Sequence, residues 1–172
     1  TEYSLLDGGN KISDLIDRVK ELGMGSVAVT DHGNLYGAIE FYTKAKAAGV
    51  KPILGIEAYV APIDRTIKIA TGIADGGFHL VLLAETAEGY HNLIKLVSAG
   101  YTEGFYYRPR IDKALLAEHA AGLIGLSSCL KGEVAEGLWH QQEKKARDAA
   151  ATYRDILGPG NFFLEMQWHG ID

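Results

Sequence analysis

Apolar residues recur along this chain at two spacings, and the two spacings alternate. Helical spacing predicts helices over residues 12–22, 38–45, 90–101 and 146–157, with a shorter helix around residues 115–116. Short apolar runs predict strands over residues 27–30, 52–60, 79–84, 123–127 and 162–166. Because short buried strands separated by helices usually run parallel, this order predicts a mostly parallel α/β sheet or barrel with right-handed crossovers.

The composition is that of an ordinary globular domain. Of the 172 residues, 47% are hydrophobic and 23% are charged, which excludes a disordered or collagen-like chain. The longest apolar runs fall far short of the ~18 residues that span a bilayer, and no signal-peptide pattern opens the chain. We therefore expect one domain of cytosolic type. With 22 acidic against 17 basic residues, any contact with a nucleic acid depends on local basic groups or metal ions.

Side chains with metal-ligand chemistry stand at the ends of the predicted strands. His32 follows the first strand, Glu57 lies within or at the end of the second, and Cys129 comes just past the strand at 123–127. Since chemistry in parallel α/β folds gathers where strands end, these residues should share one rim. Asp7, before the first helix, joins them if a strand precedes it. His79 opens its strand, so it reaches the rim only if the Gly-rich loop folds over the mouth or that strand runs the other way.

Carboxylate, imidazole and thiolate groups on one rim suit Zn²⁺, Mn²⁺ or Fe²⁺, and carboxylates can bridge two ions. Such a multinuclear site is suited to phosphoester hydrolysis. Other interpretations of two residues stay open. Asp31 either orients the His32 imidazole or caps the following helix. Cys129 is the single cysteine and cannot form an internal disulfide, so it can also be a buried apolar residue or a reactive thiol. Three of the four other histidines, His91, His119 and His140, are interpreted as surface or packing residues. The fourth, His169, is a further rim candidate.

The segment at 106–110, Tyr-Tyr-Arg-Pro-Arg, mixes aromatic rings with guanidinium groups. This mixture suits stacked bases and a phosphate backbone, and it makes Arg108 and Arg110 candidates for nucleic-acid contact. The alternative is that both arginines brace the loop by bonding acidic neighbours.

Five blocks of sequence point to a known family: TEYSLLDG (1–8), TDHGN (30–34), KPILGIEAYV (51–60), GFYYRPR (104–110) and LSSCLKGE (126–133). They resemble the polymerase-and-histidinol-phosphatase (PHP) domain at the N-terminus of bacterial replicative DNA polymerase alpha subunits. The resemblance runs essentially from end to end, and the last two blocks are particular to the polymerase branch.

The resemblance implies a distorted (βα)7 TIM-like barrel whose rim holds two or three metal ions. It places ligands at Asp7, His32, Glu57, His79 and Cys129. The family's remaining ligands are a His-x-His pair, which would fall before residue 1, and an Asp-x-His pair, which would fall beyond residue 172. We therefore expect residues 1–172 to be a PHP domain truncated at both ends and inactive as a fragment.

The resemblance also implies a parent DNA-directed DNA polymerase, cytoplasmic, with Mg²⁺ in a separate polymerising domain. Its partners would be primer–template DNA, a sliding clamp and a proofreading subunit. For the PHP domain itself it implies either a metal-dependent 3′–5′ exonuclease or a structural and interaction module. The other alternative is a free-standing PHP phosphatase that acts on a small ester such as histidinol phosphate. The two polymerase-branch blocks, at 104–110 and 126–133, make this alternative less favoured.

Overall fold

The computed structural model describes residues 1–73, 76–168 and 170. The helices are α1 Ile12–Glu21, α2 Ala38–Ala47, α3 Ala87–Thr102, α4 Lys113–Glu118, α5 Glu133–Trp139 and α6 Glu143–Leu157. The strands are β1 Ser26–His32, β2 Lys51–Val60, β3 Phe78–Ala84, β4 Arg110–Ile111, β5 Leu123–Leu126 and β6 Phe162–Phe163. Every predicted helix and strand has its counterpart, whereas α5 and β4 were not predicted. No helix in the described part of the chain is long and apolar enough to cross a membrane.

The strands form one mixed sheet in the order β1-β2-β3-β5-β6, and β4 pairs with the last residues of β2. β1 runs parallel to β2, and β5 runs parallel to β6. β3, however, runs antiparallel to both of its neighbours, β2 and β5. The expectation of a mostly parallel sheet is therefore corrected at its central strand. The physical reason is that the chain returns from β2 to β3 at the same edge of the sheet, and the described residues of this connection, 61–73 and 76–77, form no α-helix that would carry it back to the other edge. Within the described residues the sheet is open and does not close into a barrel.

Two apolar clusters hold the helices against the sheet. The larger one packs the central strands β2, β3 and β5 against α3, α4 and α6. The smaller one packs α1 and α2 against β1, and it includes the fully buried side chains of Ile12 and Phe41. Because helices and apolar side chains fix the body of the sheet in this way, the strand ends are left to carry polar groups.

Arg110 clamps the loop between β2 and β3. Its side chain is only 1% exposed. The guanidinium donates hydrogen bonds to four backbone carbonyls, those of Gly104 (3.1 Å), Arg65 (3.0 Å), Ile67 (2.9 Å) and Gly76 (3.4 Å). The expectation that Arg110 contacts nucleic acid is therefore corrected. This arginine does brace the loop, but through carbonyl oxygens and not through acidic neighbours.

Candidate metal centre

The strand directions bring the predicted ligands to one edge of the sheet. In the parallel pair of β1 and β2, His32 stands opposite Glu57. In the antiparallel pair of β2 and β3, His79 stands opposite Tyr59, two residues beyond Glu57. The position of His79 at the start of its strand is thus explained, because β3 begins where β1 and β2 end. Cys129 lies in the loop after β5, at the same edge.

The five predicted ligands form one continuous chain of contacts. Asp7 Oδ1 lies 2.9 Å from His32 Nε2, and His32 Nδ1 lies 2.8 Å from Glu57 Oε1. The same Glu57 oxygen lies 3.1 Å from His79 Nδ1, and that nitrogen lies 3.6 Å from Cys129 Sγ. The structure therefore brings together all five side chains, although they come from five separate segments of the sequence.

One end of this contact chain is buried and the other is open to solvent. The side chains of His79 and Glu57 are 7% and 14% exposed, whereas those of His32 and Asp7 are 34% and 68% exposed. At the buried end, an oxygen of Glu57, a nitrogen of His79 and the sulfur of Cys129 all lie within 4.8 Å of one another. Carboxylate, imidazole and thiolate are the donors that transition metals such as Zn²⁺ take in proteins. These three residues therefore fit a metal ion, and His32 and Asp7 extend the donor set toward solvent.

The buried groups influence one another's protonation strongly. Burial lowers the pKa of His79, but its contacts with Cys129 and Glu57 outweigh burial and raise that pKa to about 9. Burial raises the pKa of the Glu57 carboxyl, and the neighbouring His79 and His32 more than offset this, so its net shift is downward. The hydrogen bond with His79 lowers the pKa of the Cys129 thiol. A carboxylate and a thiol that deprotonates readily thus favour positive charge between them, which is the charge a metal ion would supply.

Asp31 serves the site indirectly. Its carboxylate is 3% exposed and accepts hydrogen bonds from the hydroxyls of Thr1 and Ser4, each at 2.8 Å. The Ser4 hydroxyl in turn accepts a hydrogen bond from the backbone N–H of His32 at 3.1 Å. Asp31 therefore neither orients the His32 imidazole nor caps α2, whose N-cap is Gly37. Both interpretations are corrected: this carboxylate ties down the segment that carries Asp7.

A tight turn after β5 positions Cys129. Ser128 has a left-handed backbone with φ of 62°, and the N–H of Gly132 donates to the carbonyl of Cys129 at 2.9 Å. The carbonyl of Lys131 accepts from the N–H of His79 at 3.0 Å. Because the turn is bonded to the first residues of β3, the sulfur and the imidazole are held together by the backbone as well as by their own contact.

The exposed end of the contact chain opens into a cavity of about 450 Å³. Arg108 lines this cavity, with its guanidinium carbon 5.8 Å from the centre of the Tyr59 ring. Tyr36, Tyr101 and Lys131 also line it, and sequence reasoning did not single them out. Tyr101 lies in a helical pattern, where tyrosines are typical of packing, and no local signal marks Tyr36 or Lys131.

The other histidines lie elsewhere. His91 and His140 are exposed, and their ring nitrogens lie near groups of their own helices, the Ala87 carbonyl at 2.8 Å and the Glu136 carboxylate at 4.0 Å. His119 is half-buried at the end of α4. The rim candidate His169 lies outside the described residues.

A mixed α/β sheet with oxygen, nitrogen and sulfur donors gathered at one edge defines a domain with a candidate metal centre. The chain belongs to the PHP domain family, whose model matches residues 1–169. The resemblance inferred from the five sequence blocks is thereby confirmed.

The chain is also similar to bacterial replicative polymerases. It is 46% identical over 171 residues to DNA polymerase III subunit alpha of Borreliella burgdorferi and 49% identical over 181 residues to that of Helicobacter pylori strain 26695. It is 48% identical over 174 residues to that of Thermus aquaticus. Each alignment covers 99% of this chain but only 14–15% of the relative, so the chain spans about 15% of the length of these relatives.

Proposed function

We propose that this chain is the PHP domain of a bacterial DNA polymerase III alpha subunit, and that its cluster of ligands is a metal-dependent phosphoesterase centre acting on 3′ ends of single-stranded DNA. The observation that carries the proposal is the donor set of Glu57, His79 and Cys129, whose ligand atoms lie within 4.8 Å of one another. The identity of 44–49% to the alpha subunits supports the choice of DNA as substrate.

Two groups of donors would hold the metal ions. Glu57, His79 and Cys129 form the buried group, while His32 and Asp7 form the exposed group, and Glu57 Oε1 contacts the histidines of both groups. A carboxylate in that position is suited to bridging two ions. The sulfur and nitrogen donors favour Zn²⁺, with Mn²⁺ and Fe²⁺ as alternatives. When bound, such ions activate water and neutralise charge on a phosphate.

The chain's own residues have separate tasks around that centre. Arg108 is placed over the face of Tyr59, which holds the guanidinium at the cavity wall, where it can bind a phosphate oxygen. Lys131 adds a second positive charge at the same cavity. In a chain with net charge −5, these two residues supply the local attraction that a polyanion needs.

We further propose that the open sheet forms part of the distorted (βα)7 barrel of this family, with residues outside this chain supplying the remaining strands and ligands. On this proposal residues 1–172 are a partial PHP domain, and the parent protein synthesises DNA on primer–template with Mg²⁺ in another domain. The identity to the alpha subunits also supports a place in the replisome beside a sliding clamp and a proofreading subunit.

Two measurements test the proposal. Elemental analysis of the full-length alpha subunit after purification with Zn²⁺, Mn²⁺ or Fe²⁺ should show bound metal, reduced in Cys129→Ala and unchanged in the surface variant His91→Ala. The full-length alpha subunit should remove nucleotides from a 3′-labelled single strand when metal is present, and Cys129→Ala should abolish this. Absence of metal in the unaltered protein would refute the metal centre. Bound metal without hydrolysis would refute the exonuclease and leave the domain as a structural or interaction module.

A further inference from the structure

Three aromatic rings at the mouth of the cavity form a row, here called the aromatic shelf: Tyr36, Tyr101 and Phe105. The ring centres of Tyr36 and Tyr101 are 6.4 Å apart, and those of Tyr101 and Phe105 are 6.1 Å apart with their planes only 29° from parallel. Tyr36 lies between β1 and α2, Tyr101 lies in the last turn of α3, and Phe105 follows that helix. The shelf is therefore assembled by the tertiary fold from two distant segments.

The shelf presents its rings to solvent and is not part of the core. Tyr36, Tyr101 and Phe105 are 65%, 38% and 47% exposed. Burial, together with the neighbouring Tyr36 side chain, raises the pKa of Tyr101. The neighbouring rings already lie at the 6.1–6.4 Å centre distances typical of aromatic contacts, so the surface is formed before anything binds to it.

The shelf lines the same cavity as the candidate metal centre. His32, His79 and Arg108 line that cavity together with all three rings. A ligand that uses the whole cavity must therefore present a negatively charged group to Arg108 and flat apolar faces to the shelf. Single-stranded nucleic acid does so, because its phosphates alternate with bases whose faces stack on aromatic side chains.

We propose that the aromatic shelf binds the bases of a single strand by stacking and so guides the phosphodiester toward the ligand edge of the sheet. This inference rests on the proposed function for its substrate and adds the way in which that substrate is recognised. The recognition is tolerant of sequence, because every base has a stacking face.

The test compares two fluorescent decamers that carry the same phosphates, one of thymidine and one of abasic residues. Binding to the 172-residue chain is measured by anisotropy in EDTA, so that no hydrolysis occurs. The unaltered chain should prefer thymidine over abasic residues. Phe105→Leu should weaken thymidine binding about tenfold, as expected for the loss of one stacking ring, and leave abasic binding unchanged. Phe105→Trp should restore the preference for thymidine.

Phe163→Leu is the matched control, since Phe163 is 50% exposed but lies on β6, away from this cavity. It should change neither affinity. Equal binding of both decamers by the unaltered chain would overturn the proposal and favour a protein partner for the shelf. An equal loss for both decamers in Phe105→Leu would overturn it as well. A thymidine preference without any metal-dependent hydrolysis in the full-length protein would support the shelf and refute only the proposed exonuclease.

Discussion

Replacing Arg110 with alanine should destabilise the fold strongly, although the residue lies in a segment whose local sequence is typical of a surface loop. The substitution removes three hydrogen bonds between the guanidinium and backbone carbonyls of the loop that joins β2 to β3, and a fourth to the carbonyl of Gly104, which follows α3. It also removes the contact with the Tyr106 ring, whose centre lies 5.0 Å from the guanidinium carbon. The loop would lose the group that holds its two ends together.

The size of the effect follows from these contacts. Four hydrogen bonds at about 1 kcal/mol net each give about 4 kcal/mol, and the ring contact adds about 1 kcal/mol. Water reaching the freed carbonyls offsets part of this loss, because Arg65 and Gly76 are only half-buried and Ile67 is exposed. Burial also lowers the pKa of Arg110, so its removal relieves a cost of desolvation. We therefore expect a net loss of about 3 kcal/mol, or about 6–12 °C in melting temperature for a chain of this size.

Thermal unfolding followed by circular dichroism measures this loss. Arg108→Ala is the matched control, since Arg108 is half-buried at the cavity wall and should cost less than about 1 kcal/mol. Arg110→Lys should fall between alanine and the unaltered chain, because one ammonium group cannot reach all four carbonyls. A melting temperature for Arg110→Ala within 2 °C of the unaltered chain, taken as roughly the error of such a scan, would refute the clamp.

Four further predictions concern the site and the packing around it. Cys129→Ser should weaken Zn²⁺ binding at least about tenfold in a competition titration with a chelating dye, and unchanged affinity would exclude the sulfur as a ligand. The pKa of His79 is raised to about 9 from an ordinary 6.5, so in the metal-free chain its contribution to the free energy of unfolding should be complete below pH 6.5 and lost as the pH rises through 9. Urea unfolding in EDTA should show this decrease in stability with pH. The variant His79→Asn should not show it. Gly89→Ala should destabilise the fold by about 1–3 kcal/mol in spite of the better helix propensity of alanine, because a Cβ there overlaps a backbone carbonyl in the turn before β5. The control Gly25→Ala, with open space around it, should not destabilise the fold. Arg108→Ala should reduce the salt slope of oligonucleotide binding by about one unit across a NaCl series, and an unchanged slope with lower thermal stability would assign this arginine to structure.

Local periodicity located the secondary structure because each helix or strand has one strongly apolar face or run. The first helix, predicted over residues 12–22, is observed over Ile12–Glu21. Two elements escaped prediction: α5 is short and buries few apolar side chains, and β4 has only two residues. The apolar pattern of β3 left its direction open, since a strand that is apolar on both faces shows the same pattern whichever way it runs. The position of His79 at its start indicated the reversed direction as one of two alternatives, and the structure shows that direction.

The candidate ligands were predictable and their surroundings were not. His32 ends a strand, Glu57 lies within one and Cys129 comes shortly after one, and such placements are a local feature of the sequence. Arg108 and Arg110, in contrast, share one short motif, and yet one lines the cavity while the other is buried. Three of the four carbonyls that bind Arg110, those of Arg65, Ile67 and Gly76, lie far away along the chain, and no local pattern reveals such long-range contacts.

The sequence of the buried strand β3 affects which alignments with its neighbouring strands are stable. Both of its faces are apolar from Phe78 to Leu82, so sliding the strand by one residue would exchange one apolar row for another at little hydrophobic cost. His79 is the exception, because a slip would turn its imidazole away from Cys129 and leave the half-buried Glu57 carboxylate with His32 as its one remaining imidazole contact among the described residues. The imidazole therefore penalises misaligned states during folding. A chain that exchanged His79 for an apolar residue would lose this penalty on misalignment together with one donor of the proposed metal centre.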